Sequence, residues 1–368
     1  MDAKLAAWYA NRQGLDGSLA GRTPAEVLER GWVRSLGGSS TYLTLFSRAG
    51  TSREAADAAV AAVEIHELPA ARGCTFVVPA ADFALALRCG RRFSDGEMKV
   101  ALKLGVTPKE IDKLRETVLK VLSKGPLDPD GIREAAGVAV RSLGPAGKAK
   151  GMTTTLPLAL GLLQEAGEIR RIPVNGRLDQ QRFKYALWKP SPLRAYKLSD
   201  DEVANELARR FFSWIGPATS KHFQAFSGLG VKASLAAVEP LKLEPIEPAS
   251  DLLLLPENRD AFAKFKVPKE PCYTLVSSLD GIGLLRGEDW PHHAILDRGV
   301  LVGYWEYDNS KEAIVWKTLN QVKSDKPLKN AVLAFEDYVK SQLQDVRIAP
   351  LDSPASRTSR IAALRSKG

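Results

Sequence analysis

The stretch from residue 107 to 188 constrains this chain more than any other. Its spacing predicts a helix from Thr107 to about Ser123, a short helix after Asp128, and a third across TTLPLALGLLQEAG that Gly167 can stop. Two strands follow, EIRRIPV and RFKYALW, flanking NGRLDQQ, in which Asn175-Gly176 is a strong turn signal. Helix, helix, helix, hairpin is the order of a winged helix, whose third helix can enter a groove with the hairpin beside it. A similar order recurs from 199 to 256, where DDEVANELARRFFSWIG, SKHFQAFSG and VKASLAAVE precede the strands LKLEPIE and DLLLLP. It occurs a third time from 1 to 79, ending in EIHELPA and CTFVVP.

The expected fold class is therefore α+β: tandem winged-helix units followed by a mostly β region. We place the units at 1–95, 96–192 and 193–258, the β-rich region with its closing helix at 259–345, and a basic tail at 346–368. Helix starts are legible because Thr23, Thr51, Thr107 and Ser199 are each followed three residues later by Glu, the pattern of a capping box. Pro24, Pro108 and Pro129 sit at first-turn positions, where a missing N–H costs nothing. Beyond residue 270, CYTLVSSL, IGLLRG, GVLVGYWEYD and AIVWKTL read as strands, the last two joined at Asn309-Ser310-Lys311. Val332, Phe335, Val339 and Leu343 then line one face of a final helix. The Ser-rich tail after Pro350 is expected to be mobile.

A chain of 368 residues, 45% hydrophobic and 26% charged, can build two or three compact units. No stretch approaches the roughly 18 uninterrupted apolar residues that a membrane span needs. The N-terminal MDAKLAAWYANRQG has no apolar run of the secretory kind, and Cys74, Cys89 and Cys272 are scattered, so we expect a cytoplasmic monomer without disulfides. Fifty-two Lys and Arg against 43 Asp and Glu give a net charge of +9, a balance that suits a polyanionic partner. The positive charge gathers at Lys148 and Lys150, at Arg170 and Arg171, at Arg177, Arg182 and Lys184, and in SRTSRIAALRSKG.

Few constellations carry chemistry. His292-His293 is the sole histidine cluster and adjacent residues rarely converge on one ion, so no metal is expected. Nor is a cofactor: no phosphate-cradling or dinucleotide motif stands in the right context, and GLGVKAS is better read as a helix-turn-helix corner. Ser47 and Ser227 lie in no nucleophile-elbow setting. Arg177, Gln180, Gln181 and Arg182 on the hairpin tip could reach phosphates and minor-groove edges, or be a solvated turn. Thr153, Thr154 and Thr155 could be the helix cap alone, or mark the helix start where phosphate is best held.

The ordered blocks YLTLFSR at 42–48, RGCTFVVP at 72–79 with Asp82, Leu158 to Gly167, and FSWIGPAT at 212–219 resemble the winged-helix DNA glycosylases of the crosslink-repair group, the AlkZ and YcaQ type. The resemblance covers most of the chain. It implies a C-shaped array with a basic cleft and duplex DNA, alkylated or not, as the partner. The residues expected to contact DNA are Arg34, Arg72, Lys148, Lys150, Thr153, Thr154, Arg170, Arg171, Arg177, Gln180, Gln181, Arg182 and Lys184.

In those glycosylases a Gln-x-Gln or Gln-x-Asp pair precedes the segment matching Tyr42 to Arg48 and positions the hydrolytic water or contacts the modified nucleotide. This chain has RSLGGSST there, with Arg34 and Leu36 at the motif positions, and Cys74 and Phe76 where the family commonly has Thr and a later His. Candidates to replace the pair are Arg34, Ser35, Ser39 and Ser40, on a loop expected to face the cleft, or else Glu64; Asp82 is expected to cap the helix after Pro79. Two readings follow, with a structural or protein-interaction role behind them: a DNA-binding protein of this fold without the standard catalytic pair, or an active glycosylase that hydrolyses the N-glycosidic bond of an alkylated nucleobase.

Overall fold

The computed structural model describes residues 2–91, 94–180, 182–319, 325–349 and 352–366. Helices leading into a β-hairpin occur three times. First, α1 (Ala3–Arg12) and α2 (Pro24–Leu28) lead to β1 (Val33–Arg34), α3 (Ser40–Ala49), α4 (Arg53–Ala61), the hairpin β2 (Ile65–Pro69) and β3 (Thr75–Pro79), and α5 (Phe83–Cys89). Next, α6 (Asp95–Lys103) precedes α7 (Pro108–Leu122), α8 (Pro129–Ala136), α9 (Gly144–Lys148), α10 (Leu156–Glu165) and the hairpin β4 (Ile169–Pro173) and β5 (Phe183–Leu187). Finally come α11 (Asp200–Ile215), α12 (Ser220–Ser227), α13 (Val231–Val238), the short hairpin β6 (Glu244–Pro245) and β7 (Leu253–Leu254), and α14 (Arg259–Lys264).

A small pairing unites the three. In each, the chain entering the second helix adds antiparallel to the second strand of the hairpin: β1 to β3, Leu127 to Tyr185, and Ala218 to Leu253. In the later two repeats the paired residue is followed at once by the helix cap, Asp128 or Thr219. The first repeat instead inserts residues 35–38 before its N-cap, Ser39.

The local chemistry explains most helix starts. Thr23 and Ser199 form full capping boxes with Glu26 and Glu202. Thr107 caps α7, but Glu110 turns instead to Arg141 at 3.2 Å, so the reciprocal half is missing. At α4 the cap is Ser52 rather than Thr51, one residue later than the spacing predicts; its hydroxyl accepts the Ala55 N–H at 3.1 Å. Asp82 does not cap α5, because Trp32 Nε1 and Arg210 take its two oxygens at 2.8 and 2.9 Å.

The C-terminal part is an antiparallel sheet in the order β11-β10-β9-β8, built from β8 (Tyr273–Val276), β9 (His293–Asp297), β10 (Val300–Asp308) and β11 (Ala313–Thr318). IGLLRG is not a strand. Asp280 accepts the Ile282 N–H at 3.0 Å and starts a helix, α15 (Gly281–Leu284); HAILD supplies the strand that the sequence reading missed. The closing helix α16 (Lys326–Tyr338) buries Val332 and Phe335, and a wider π turn after it buries Val339 and Leu343. The tail is not loose: α17 (Pro354–Arg365) lies on β10 and β11 and is pinned by Arg360 to Glu306 at 2.8 Å and by Arg365 to Asp308 at 2.5 Å.

The sheet β1-β3-β2 lies between two cores. One face sets Trp32, Leu68, Phe76 and Val78 with Phe211, Phe212 and Phe223 of the third repeat. The other sets Val33, Ile65 and Val77 with Tyr42, Leu45, Trp305 and Phe335. Helix α10, expected to be free for a groove, is buried except at Pro157 and Leu162: its LPLALGLL sequence is apolar all round, so α7, β4 and α5 cover it. No helix among the described residues is long and apolar enough to cross a membrane, and no cluster there could hold a metal ion.

Candidate functional site

The RSLGGSST loop divides into two parts with different neighbours. Ser35 extends β1, its N–H donating to the Thr75 carbonyl at 2.9 Å. Val33 and Glu67 both pair with Val77, and alternation along the strands places Ser35 on that same face. The Ser35 hydroxyl donates to Glu67 Oε1 at 2.5 Å. From the second repeat, Arg171 of β4 approaches Glu67 Oε2 at 3.4 Å and lies 5.1 Å from the Phe183 ring centroid. Glu67 and Ser35 are 6% and 7% exposed. A hydroxyl, a carboxylate and a guanidinium from two repeats thus form one small buried cluster.

The second part of the loop faces the C-terminal segment. A side chain at Gly38 would put its Cβ 2.2 Å from the Arg347 carbonyl, so only glycine fits. Ser39 donates its N–H to that carbonyl at 2.7 Å, and Ser40 shares a hydrogen bond of 3.1 Å with Ser277. Both serines are buried in contacts with the C-terminal part of the chain rather than open to a cleft as the sequence suggested. Glu64 is exposed at the start of the β2 hairpin, three residues before the carboxylate that does meet the loop. Arg34 points to the opposite face from Glu67, partly buried, and its Nε finds no hydrogen-bond partner among the described residues.

Beside Glu67 on β2, His66 sits edge-on to Phe83 and Trp188 with neither ring nitrogen bonded among the described residues. Burial, helped by Arg170 and Arg171, pushes its imidazole down to about 3, so it is neutral. Burial also holds Arg170 below the ordinary guanidinium range.

The hairpin tip is not a free arm. The Leu178 N–H donates to the Tyr42 hydroxyl at 2.8 Å, and that hydroxyl donates to Asp57 at 2.5 Å. Arg177 is held by both oxygens of Asp179 at 2.9 and 2.5 Å and reaches the Leu343 carbonyl, so it does not face outward as expected. Gln180 accepts from Asn175 at 2.5 Å, and Gln181 lies outside the described residues. Arg182 and Lys184 are exposed, and strand alternation sets them on one face of the hairpin with Arg170. None of the three has a carboxylate partner among the described residues.

Elsewhere Lys148, Lys150 and Thr153 are exposed around α9, and Arg72 is exposed in the turn between β2 and β3. The start of α10 is not an open phosphate cradle. Thr154 pairs with Ser142, the Leu143 N–H donates to the Thr153 carbonyl at 2.9 Å, and the buried Thr155 hydroxyl accepts the Arg141 N–H at 3.1 Å.

Two residues of the quoted blocks turn out to be internal clamps. Tyr42 holds the hairpin, and Arg48 forms a bidentate pair with Asp280 at 2.8 Å on each arm. Glu67 and Asp280 were both missed. The sequence signal for each was faint, a carboxylate next to a histidine in a short buried strand and an Asp before a Gly-rich turn.

Among solved structures, the Streptomyces sahachiroi DNA glycosylase AlkZ is similar, with a TM-score of 0.72 and 17% sequence identity over 94% of this chain and 98% of that one. At that identity the likeness is one of fold. No curated protein sequence matches the chain. A model of the AlkZ-like DNA glycosylase family matches residues 35–288, most of the chain and the stretch holding Ser35, Glu67 and Arg171, and the chain belongs to that family.

Proposed function

We propose that this protein binds duplex DNA as a monomer built on three tandem winged helices, and that it meets the duplex with hairpins and loops rather than with a groove-reading helix. The recurrent strand pairing ahead of each second helix supports the winged-helix reading. The observation that carries DNA binding is the face of the β4–β5 hairpin with Arg170, Arg182 and Lys184, uncompensated by any carboxylate among the described residues. Such charges release counterions when they meet phosphates. Raising salt from about 50 to 200 mM should weaken binding to a duplex by at least roughly tenfold. An affinity flat across that range would remove the reading.

A second reading, hydrolysis of the N-glycosidic bond of an alkylated base, is favoured by the hydroxyl–carboxylate contact of Ser35 and Glu67. Incubation with alkylated duplex DNA followed by detection of abasic sites tests it. The standard Gln pair is absent, so any excision must draw on other groups.

A further inference from the structure

We propose that Glu67 is the catalytic carboxylate of this chain, with Ser35 and Arg171 as its positioning residues. The proposal rests on the excision reading above and deepens it.

Three observations converge on it. The residues 35–38 are extra chain: the other two repeats pass from the paired strand residue directly to the helix cap. What the insertion brings is Ser35, whose hydroxyl fixes one oxygen of Glu67 at 2.5 Å. The other oxygen is approached by Arg171 from a different repeat. The carboxylate thus sits where two repeats meet, held by one firm and one longer contact, with acceptor positions left over on both oxygens.

Its chemistry suits the bond. A water oxygen bonds to C1′ while the C1′–N bond breaks, and the base leaves with the electron pair that neutralises its alkylated ring. Glu67 takes the proton from the water and, being nearly buried, acts strongly on the cationic sugar that develops. A serine hydroxyl alone is a poor base near neutral pH. Arg171, at 3.4 Å, orients the carboxylate without binding it tightly.

The test measures single-turnover base release from alkylated duplex DNA alongside duplex binding and thermal melting. Glu67→Gln should cut the release rate at least a hundredfold with binding within about twofold, the pattern of a group acting in the transition state. Ser35→Ala should cut it by about tenfold. In Glu67→Ala, added formate should restore part of the rate, which replacement of a merely structural carboxylate would not allow. Release by Glu67→Gln at the wild-type rate overturns the role of Glu67 and leaves excision standing. Should Glu67→Gln unfold, formate rescue of Glu67→Ala and the folded Ser35→Ala carry the decision, and failure of both overturns the role. Absence of release by the wild type overturns the excision reading and the role of Glu67 with it, while salt-dependent binding remains as the first reading.

Discussion

Arg48 and Asp280 join α3 to the turn before α15 with side chains 3% and 0% exposed. Burial works against the Asp280 carboxylate, but the Arg48 guanidinium, the Ile282 N–H and the Thr44 hydroxyl outweigh it and hold it below its ordinary range. Removing one partner strands a buried charge, so Arg48→Met should cost about 3–5 kcal/mol in urea unfolding, and a loss under about 1 kcal/mol would contradict the clamp. Two histidines give the protein an acid limit. Burial pushes His66 down to about 3 and His293 to about 4, against about 6.5 in an unfolded chain. Below that pH the unfolded state binds protons the native state refuses, so their stabilising effect is complete above about 6.5 and is lost as pH falls towards 4. Unfolding midpoints at pH 7.5 and 5 should show that decline, and His66→Leu should reduce it; equal slopes would show that His66 does not titrate on unfolding. Legibility is poorest at this scale. Ser35 and Glu67 stand 32 positions apart and meet only because β3 lies between their strands, so proximity in sequence favoured Glu64 instead.

Elements were more legible than contacts. Asn175-Gly176 announced the β4–β5 hairpin, and Gly176 takes the positive φ of 78° that such a turn requires. The closing helix followed from its apolar spacing. IGLLRG failed because a short apolar run is equally a strand or a buried turn of helix, and Asp280 in front of it decides the matter by capping. The tail failed differently: its Ser and Arg content reads as solvated, yet acidic residues far back in the chain, Glu306 and Asp308, hold α17. The same lesson applies to the hairpin tip, where Arg177 looked like a DNA contact and is an internal strut. Hydrogen bonding to Asp179 leads the effects that raise its guanidinium above the ordinary range. Arg177→Ala should therefore lower stability by about 1–2 kcal/mol, as loss of a partly buried charge-assisted pair does. Its DNA affinity, measured well below the melting transition, should stay near the wild type. Reduced affinity with unchanged melting would reverse that assignment and return the tip to the DNA face.

At the scale of the molecule, the order of helices and hairpin was readable over 107–188, where α7, α8, α10 and β4–β5 stand as expected, while the use of those elements was not. The third helix of a winged helix is the usual groove reader. Here α10 is buried, α4 exposes Glu54, Ala55 and Ala58, and α13 exposes Val231, Lys232 and Leu235, so none offers a row of basic side chains to a groove. The charge lies on the β4–β5 hairpin instead, and recognition through phosphates there is expected to tolerate sequence. Arg182→Ala with Lys184→Ala should test this without touching the fold, because both side chains are exposed and unpaired among the described residues. Each phosphate contact adds about 0.9 to the slope of log affinity against log salt. If both residues touch phosphate, the double variant should lose about 1.8 from that slope across several unrelated duplex sequences alike, with unchanged melting. A slope equal to the wild type would show that the duplex lies elsewhere, with Lys148, Lys150 and Arg72 as the next exposed cations to be replaced. A loss confined to one sequence would point to base reading and would sink the phosphate-led mode of binding.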